Sequence, residues 1–463
     1  MESFSDSTVG KISDKAAARL KFFFLAGTFF LIIGAYTIIR DLKNSIFMAT
    51  VGKEYIPWAR MISVVALVPF ILLYSKLVDK VRRYYLLIFY SMAYAIFGLL
   101  FAYFLGDPQI GIANTDQSVY RFFGWLFYFF VEGFSPFVLS VYWAFANSIS
   151  SPEEAKSNYG FMVTGSKLGG MVTAGFSWAL FSMKEIPFYG SMTSISKHQL
   201  ILVICSFLLC MIPLLIMYCM KIIPGHYLHG YEAAYKVEKK RGKQKTGILS
   251  GLKMFIQYPY VLGIFSMVFL YEVVATVLGY LRLSVAQSNS SSVNDVSAFL
   301  FKWVFIMHFV GFLISFFGTS VLLKKIGTRL CLLLIPVATG LVLLCFMLFS
   351  STWIIMAAFT LMKSINYAFS WPVRECLYIP TVKEIKFKSK SWIDAFGSKF
   401  ARTTGSTINI YMATLPTALF VPFTSFFFAI VVGIWFVAAF LLGRRFERAI
   451  DNKEVIGSAV VEE

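Results

Sequence analysis

Ser75-Lys76-Leu77-Val78-Asp79-Lys80-Val81-Arg82-Arg83 closes the second long apolar run of this chain, and 245 residues later Ser320-Val321-Leu322-Leu323-Lys324-Lys325-Ile326-Gly327-Thr328-Arg329 closes the eighth. The same offset relates Gly34 to Gly279. A basic loop after an apolar run is ordinary in a membrane protein, but its recurrence at equivalent places divides the chain into two related halves.

Outward from those loops, apolar runs of membrane length fill the chain from Lys21 to Leu442. A span needs about 20 apolar residues. On that basis the sequence predicts twelve helices, at 22–48, 57–77, 84–105, 121–147, 159–182, 199–220, 258–281, 297–323, 330–350, 353–377, 393–414 and 418–443. The expected organisation is a cytoplasmic segment 1–20, a six-helix bundle 21–220, a basic cytoplasmic linker 221–257, a second six-helix bundle 258–443 and a tail 444–463. This is an all-α polytopic membrane protein.

Composition agrees. The 463 residues are 58% hydrophobic and only 14% charged, with a mean hydropathy of +0.72, which excludes an ordinary soluble domain. A net charge of +18 would suggest nucleic acid in a soluble chain. Here most cations fall in short loops, so no nucleic-acid partner is expected and the contacts are with membrane lipid. The basic loops are Lys76 to Arg83, Lys324 to Arg329, Lys383 to Lys390 and Arg444 to Arg448, whereas 106–120 and 283–299 contain no Lys or Arg. Lys53, Arg60, Lys184 and Lys197 are the exceptions on that poorer side. The positive-inside rule then places both termini in the cytoplasm.

The N-terminus carries Glu2, Asp6 and Asp14 and no small-residue cleavage site, unlike a cleaved signal or a transit peptide. Cys205, Cys210, Cys219, Cys331, Cys345 and Cys376 form no CxxC pair, so neither a disulfide framework nor a metal site is expected. No P-loop, GxSxG or HExxH is present, and His198, His226, His229 and His308 lack ligand spacing. The first three read as loop or interfacial residues and His308 as a packed helix residue. No cofactor is called for, and a monomer is expected.

Function should lie where charge enters the membrane. Arg40, Glu132, Glu272, Lys302, Lys363, Arg374 and Glu375 stand in or beside apolar runs, and a charge near the bilayer centre costs at least ~2.5 kcal/mol, so such groups face a cavity or a partner. In Tyr36-Thr37-Ile38-Ile39-Arg40-Asp41-Leu42-Lys43-Asn44 the charges interrupt a span that resumes as Ser45-Ile46-Phe47-Met48. Glu132, well inside the fourth span, must be protonated or paired. Gly160, Gly165, Gly169, Gly170 and Gly175 read as a close-packing face of span five, which leaves Lys167 unaccounted for. The densest stretch is Trp371-Pro372-Val373-Arg374-Glu375-Cys376-Leu377-Tyr378-Ile379-Pro380, followed by Lys383, Lys386, Lys388, Lys390, Asp394, Lys399 and Arg402. Cations that continue into membrane depth on both sides of a loop suit a polyphosphate, which Lys meets with point charges and Arg with bidentate forks.

The two basic loops resemble degraded copies of the G-x-x-x-D-[RK]-x-G-[RK]-[RK] loop of major facilitator transporters. That resemblance implies two bundles rocking about a midplane site. Further blocks resemble the signatures of the ATP/ADP translocases, the non-mitochondrial nucleotide transporters of plastids and obligate intracellular bacteria. These blocks are Tyr36 to Lys43; Tyr142-Trp143-Ala144-Phe145-Ala146-Asn147 with Ser151 to Lys156 and Tyr159-Gly160; and Arg374 to Pro380 through Lys388, Lys390, Asp394, Gly397, Lys399 and Arg402. By resemblance, Arg40, Lys43, Lys390, Lys399 and Arg402 are phosphate-binding candidates, joined by Arg374 and Arg282 from their position. Glu132, Glu272, Glu375, Asp41 and Asp394 are candidate coupling or gating acids, and Tyr36, Trp143 and Asn147 candidate nucleoside contacts. Two departures stand out: Gly279-Tyr280-Leu281-Arg282 where the family often has Glu-Val-x-Trp-Lys, and Thr403-Thr404 where Ser-Gly is usual.

The expected protein is therefore an inner-membrane nucleotide carrier, or a plastid-envelope one, working by alternating access on ATP/ADP, another nucleotide or NAD, and not an enzyme. Proton-coupled symport is the alternative within transport. From another class, an embedded enzyme acting on a phospholipid headgroup could use buried cations, but it would lack the duplicated loop.

Overall fold

The continuous apolar runs become helices with short connections. The computed structural model describes residues 14–70, 77, 81–150, 152–186, 190–223, 257–349, 351–382, 385 and 389–457. The linker core, most of the Ser75 to Arg83 loop, His226, His229, Lys383, Lys386 and Lys388 lie outside the described residues.

In chain order the helices are α1 (Asp14–Thr50), α2 (Ile56–Ala66), α3 (Arg83–Leu105), α4 (Phe122–Phe134), α5 (Ser140–Ile149), α6 (Pro152–Ser182) and α7 (Ser194–Ile222). They continue as α8 (Pro259–Ser288), α9 (Val293–Leu313), α10 (Ser320–Phe349), α11 (Thr352–Ile365), α12 (Trp371–Cys376), α13 (Lys390–Trp392), α14 (Ser398–Ala413) and α15 (Thr417–Asp451). The strands described are a two-residue hairpin, Glu185–Ile186 with Gly190–Ser191. Among the described residues eight segments are long and apolar enough to cross a membrane. The other four expected spans are helical too: α2 begins 57–77, α6 covers 159–182, α11 and α12 share 353–377, and α14 covers most of 393–414. Glycines in α6 and polar residues in α14 lower the hydropathy of those segments.

The first helix runs through Arg40, Asp41 and Lys43, as expected of charges that interrupt a span without ending it, to Thr50 and stops before Gly52 at φ +117°. Two expectations change in detail. The loop expected at Lys324 to Arg329 is reduced to a sharp turn, two helical stretches meeting at Gly327, whose φ +77° and ψ 169° are not helical. His198, expected at an interface, is fully buried: Nδ1 meets the Ser194 carbonyl at 2.7 Å and Nε2 meets Ser297 Oγ at 2.9 Å. Ser297 in turn donates to Ser45 Oγ at 2.9 Å, so a polar chain satisfies the ring.

Two π segments sit at corresponding places, Ser135–Leu139 between α4 and α5, and Asn366–Ser370 between α11 and α12. Pro136 lies inside the first and Pro372 two residues past the second, and each lacks the N–H an α-helix would aim four residues back, at Glu132 and Ala368. Two further π segments, Ile314–Thr319 and Ile393–Gly397, contain no proline.

The contacts define two compact units. The first takes the described residues within Met1–Val51, Ala66–Lys243 and Val293–Phe305. The second takes those within Gly52–Val65, Gln244–Ser292 and Ile306–Glu463. In the first, Phe181 stacks on Phe301 and its carbonyl accepts from Asn294 Nδ2 at 2.8 Å, fixing the start of α9. In the second, Tyr271, Leu278, Phe428 and Trp435 are core residues. Ile456 of the tail donates to the Pro380 carbonyl at 2.8 Å and accepts from Val382 N at 3.1 Å.

Candidate functional site

The charged residues gather into clusters within each unit. In the first unit, Tyr36, Arg40 and Lys43 follow one another at helical spacing along α1. Arg40 bonds its neighbour Asp41 from Nη2 at 3.2 Å and Nε at 3.3 Å, and lies 5.7 Å over the Tyr36 ring. Tyr36 is held by stacking on Phe134, centroids 5.4 Å apart. Lys43 donates to Glu132 Oε1 and sits 4.3 Å over the Tyr128 ring. Lys43 is 6% exposed, so an ammonium this deep without its carboxylate would be costly.

The glycine face of α6 brings a third cation. A Cβ at Gly169 would meet the Phe30 carbonyl oxygen at 2.2 Å and one at Gly165 the Ala26 oxygen at 3.0 Å, so only glycine lets the two backbones approach this closely. Lys167, between them in sequence, is buried within the electrostatic reach of Arg40. Gly169→Ala is therefore expected to destabilise the protein by about 1–3 kcal/mol, the range for overpacking. Gly433→Ala, where nothing lies within 4 Å of the added Cβ, should leave stability unchanged. Thermal unfolding of both variants in detergent checks this, and equal melting temperatures would contradict it.

The second unit holds a richer cluster. Arg402 of α14 bonds Glu272 of α8 with Nε at 3.0 Å and Nη2 at 3.5 Å. Glu272 also lies in the field of Lys363 and Arg374. Close approach again depends on a glycine, since a Cβ at Gly405 would meet Thr276 Cβ at 2.7 Å. Asn409 Nδ2 adds a bond to the Thr276 carbonyl at 3.3 Å. Lys363 lies over three rings, 5.2 Å from Tyr271, 5.7 Å from Tyr367 and 6.0 Å from Phe359. Nearby, Lys390 bonds Glu375 at 2.6 Å and sits 5.7 Å over Tyr378.

The structure thus joins Tyr36, Arg40, Asp41, Lys43 and Glu132, and separately Glu272, Arg402 and Arg374. Glu375 and Lys390 form their own pair, while Asp394 is exposed and Lys399 half-buried. Arg282 stands ten residues beyond Glu272, about 15 Å along α8, buried 4.7 Å over the Phe359 ring that Lys363 also uses. Trp143 lies eleven residues past Glu132, about 16 Å of helical rise, packed edge-on to Phe29, and Asn147 is exposed one turn further. Lys363 and Lys167 were the members that sequence reading left without a role. For Lys363 the available signal was a lone cation inside a predicted span, flanked by aromatic residues at the helical spacing 359, 363 and 367.

Among the described residues no group of three His, Cys, Asp or Glu side chains could hold a metal. What both clusters offer is cations in excess of the acids that hold them. That arrangement binds a multivalent anion and can exchange it for internal carboxylates.

Comparison with known proteins agrees with this chemistry. The family model described as TLC ATP/ADP transporter matches residues 15–446. ADP,ATP carrier protein 3 of Rickettsia prowazekii (strain Madrid E) is 24% identical over 448 residues, covering 86% of this chain and 88% of that one. ADP,ATP carrier protein 1 of Chlamydia trachomatis serovar D is 24% identical over 471 residues, with 92% and 88% covered. Among solved structures, a D-xylose–proton symporter superposes with a TM-score of 0.61 over 90% of this chain and 95% of its own, at 14% identity, which bears on the fold alone. The fold is thus of the major facilitator kind.

Proposed function

The chain belongs to the TLC ATP/ADP transporter family, and from that premise we propose that it carries nucleotides across a membrane, exchanging ATP and ADP by alternating access. The observation that carries this reading is the cation-rich cluster of the second unit, where Arg402 bonds Glu272 and Lys390 bonds Glu375, with Lys363 and Arg374 acting on Glu272 as well. With Asp394 counted, three acids stand against these four cations, and nucleotide phosphates supply the missing anion. In the first unit Arg40, Lys43 and Lys167 stand against Asp41 and Glu132, again one cation in excess.

In the empty carrier the acids hold these cations in place. Within each unit substrate phosphates then compete with the acids for the cations, for Lys43 in the first and for Arg402 in the second, where Lys390 and Lys399 extend the basic path along α13 and α14. Arg282 adds charge near Phe359; of the nucleoside candidates Tyr36 stands in the Arg40 cluster, whereas Trp143 and Asn147 lie apart from it, about 16 Å or more along the helix from Glu132. The protein works in the inner membrane with both termini in the cytoplasm, a placement supported by the distribution of Lys and Arg among its loops.

Uptake of radiolabelled ATP, GTP, UTP and NAD into intact expressing cells, each competed by the others, tests the substrate class. Saturable uptake of ATP blocked by ADP is expected, and no uptake of any of the four would refute the proposal. The mode of transport is read in proteoliposomes: exchange requires uptake to rise at least about tenfold when the lumen is loaded with ADP, as for a carrier that returns slowly when empty. Uptake that ignores internal ADP and collapses with a protonophore would instead establish proton symport.

A further inference from the structure

Glu132 and Lys363 occupy the same place in two different helices. Glu132 lies ten residues after the start of α4 and three before the π segment at Ser135; Lys363 lies eleven after the start of α11 and three before the π segment at Asn366. Each faces an opposite charge from the first long helix of its half, Lys43 of α1 and Glu272 of α8. Counted from the π segment, and at an offset of 231 residues, the position is kept and the sign inverted. Single-turn π segments inside helices concentrate at functional sites.

The two pairs differ in how they are closed. Glu132 is bonded directly to Lys43, whereas Glu272 gives its oxygens to Arg402. Among the described residues the Lys363 ammonium makes no hydrogen bond; it rests among the Tyr271, Tyr367 and Phe359 rings, partly exposed. Tyr271, whose ring Lys363 overlies, is 2% exposed and its hydroxyl has no hydrogen-bond partner among the described residues. A cation with three unused donors over the ring of a tyrosine whose buried hydroxyl is unused is a place for an anionic oxygen.

We propose that Lys363 is a substrate-binding residue of the second unit, the sign-inverted counterpart of Glu132, and that with the Tyr271 hydroxyl it binds a terminal phosphate oxygen of a nucleoside di- or triphosphate. The assignment rests on the nucleotide-transport reading above and adds that this position senses phosphate number. A purely structural Lys363, balancing Glu272, would weaken all nucleotides alike when removed. A phosphate ligand makes the loss depend on phosphate number.

The test is equilibrium binding of ATP, ADP and AMP to the full chain in nanodiscs, for wild type, Lys363→Met, Lys363→Arg and Tyr271→Phe. Lys363→Met should weaken ATP by about tenfold or more and AMP by less than about twofold, the loss of one charge-assisted bond. Lys363→Arg should retain the wild-type ratio of ATP to AMP affinity. An unchanged ratio in Lys363→Met overturns the proposal. If that variant fails to fold, Tyr271→Phe decides, being one hydroxyl smaller: a reduced ratio supports the proposal and a wild-type ratio overturns it. Wild-type protein that binds no nucleotide would refute the transport reading itself, an outcome distinct from an unchanged ratio.

Discussion

Lys43→Gln is expected to abolish nucleotide uptake and to cost about 3 kcal/mol of stability, the lower end for breaking a buried ion pair, because Glu132 keeps some exposure. The reason is geometric. Lys43 is 6% exposed and donates to Glu132, so its removal takes the charge-assisted bond from a carboxylate inside the first unit, and it also removes a cation from the Arg40 and Lys167 group. The double variant Lys43→Gln/Glu132→Gln pairs two neutral amides and should recover about 2 kcal/mol of that loss, the scale of coupling between residues in contact. Transport should stay absent in the double variant, since the phosphate-binding charge is still missing. Thermal unfolding and proteoliposome uptake of the same preparations separate the two effects. Uptake at the wild-type rate in the single variant would sink the assignment of Lys43 to the substrate.

Glu272→Gln should divide binding from transport in the opposite way. With the carboxylate gone, Arg402, Lys363 and Arg374 lose the acid they share, while Asp394 still acts on Arg374. A polyanion then meets one competitor fewer, so ATP affinity should be unchanged or tighter. The empty carrier, however, must reorient with uncompensated charge at membrane depth. Even one such charge costs at least ~2.5 kcal/mol, enough to slow that step by about 50-fold or more. Exchange rate and affinity, measured on one preparation, should move apart. If binding is lost while the rate per bound nucleotide is unchanged, Glu272 shapes the site and has no role in reorientation.

The helices were legible because membrane spans announce themselves by length and hydropathy, and Arg40, Glu132, Glu272 and Arg402 were legible because charge there is anomalous. Pairing was not. Sequence spacing says nothing of Lys43 meeting Glu132 or Arg402 meeting Glu272, since these contacts depend on how glycines such as Gly124, against Thr50, and Gly405, against Thr276, let helices close on one another. The π segments were missed for a related reason. Pro136 and Pro372 are visible, but whether a proline kinks, ends or widens a helix is settled by its surroundings. Lys363 stayed unassigned because a single cation has no periodicity; its meaning comes from the three rings around it and from its correspondence with Glu132. His198 was misread because a histidine at the edge of an apolar run is placed by default at the interface, and its bond to Ser297, a residue far along the chain, has no local signature.

The interleaving of the two compact units bears on biosynthesis. Ribosomes deliver the chain in order, and domains generally fold as they emerge. Here the first unit draws Val293–Phe305 from beyond the linker, and the second draws Gly52–Val65 from before it. The helices of the first unit must therefore wait in the lipid, with the face around Phe181 uncovered, until α8 has been made and the start of α9 arrives to stack Phe301 against it. Insertion and assembly become separate stages in time. Co-expressed halves cut at the linker would each leave the ribosome lacking a segment that the other half carries, so neither could mature before they met.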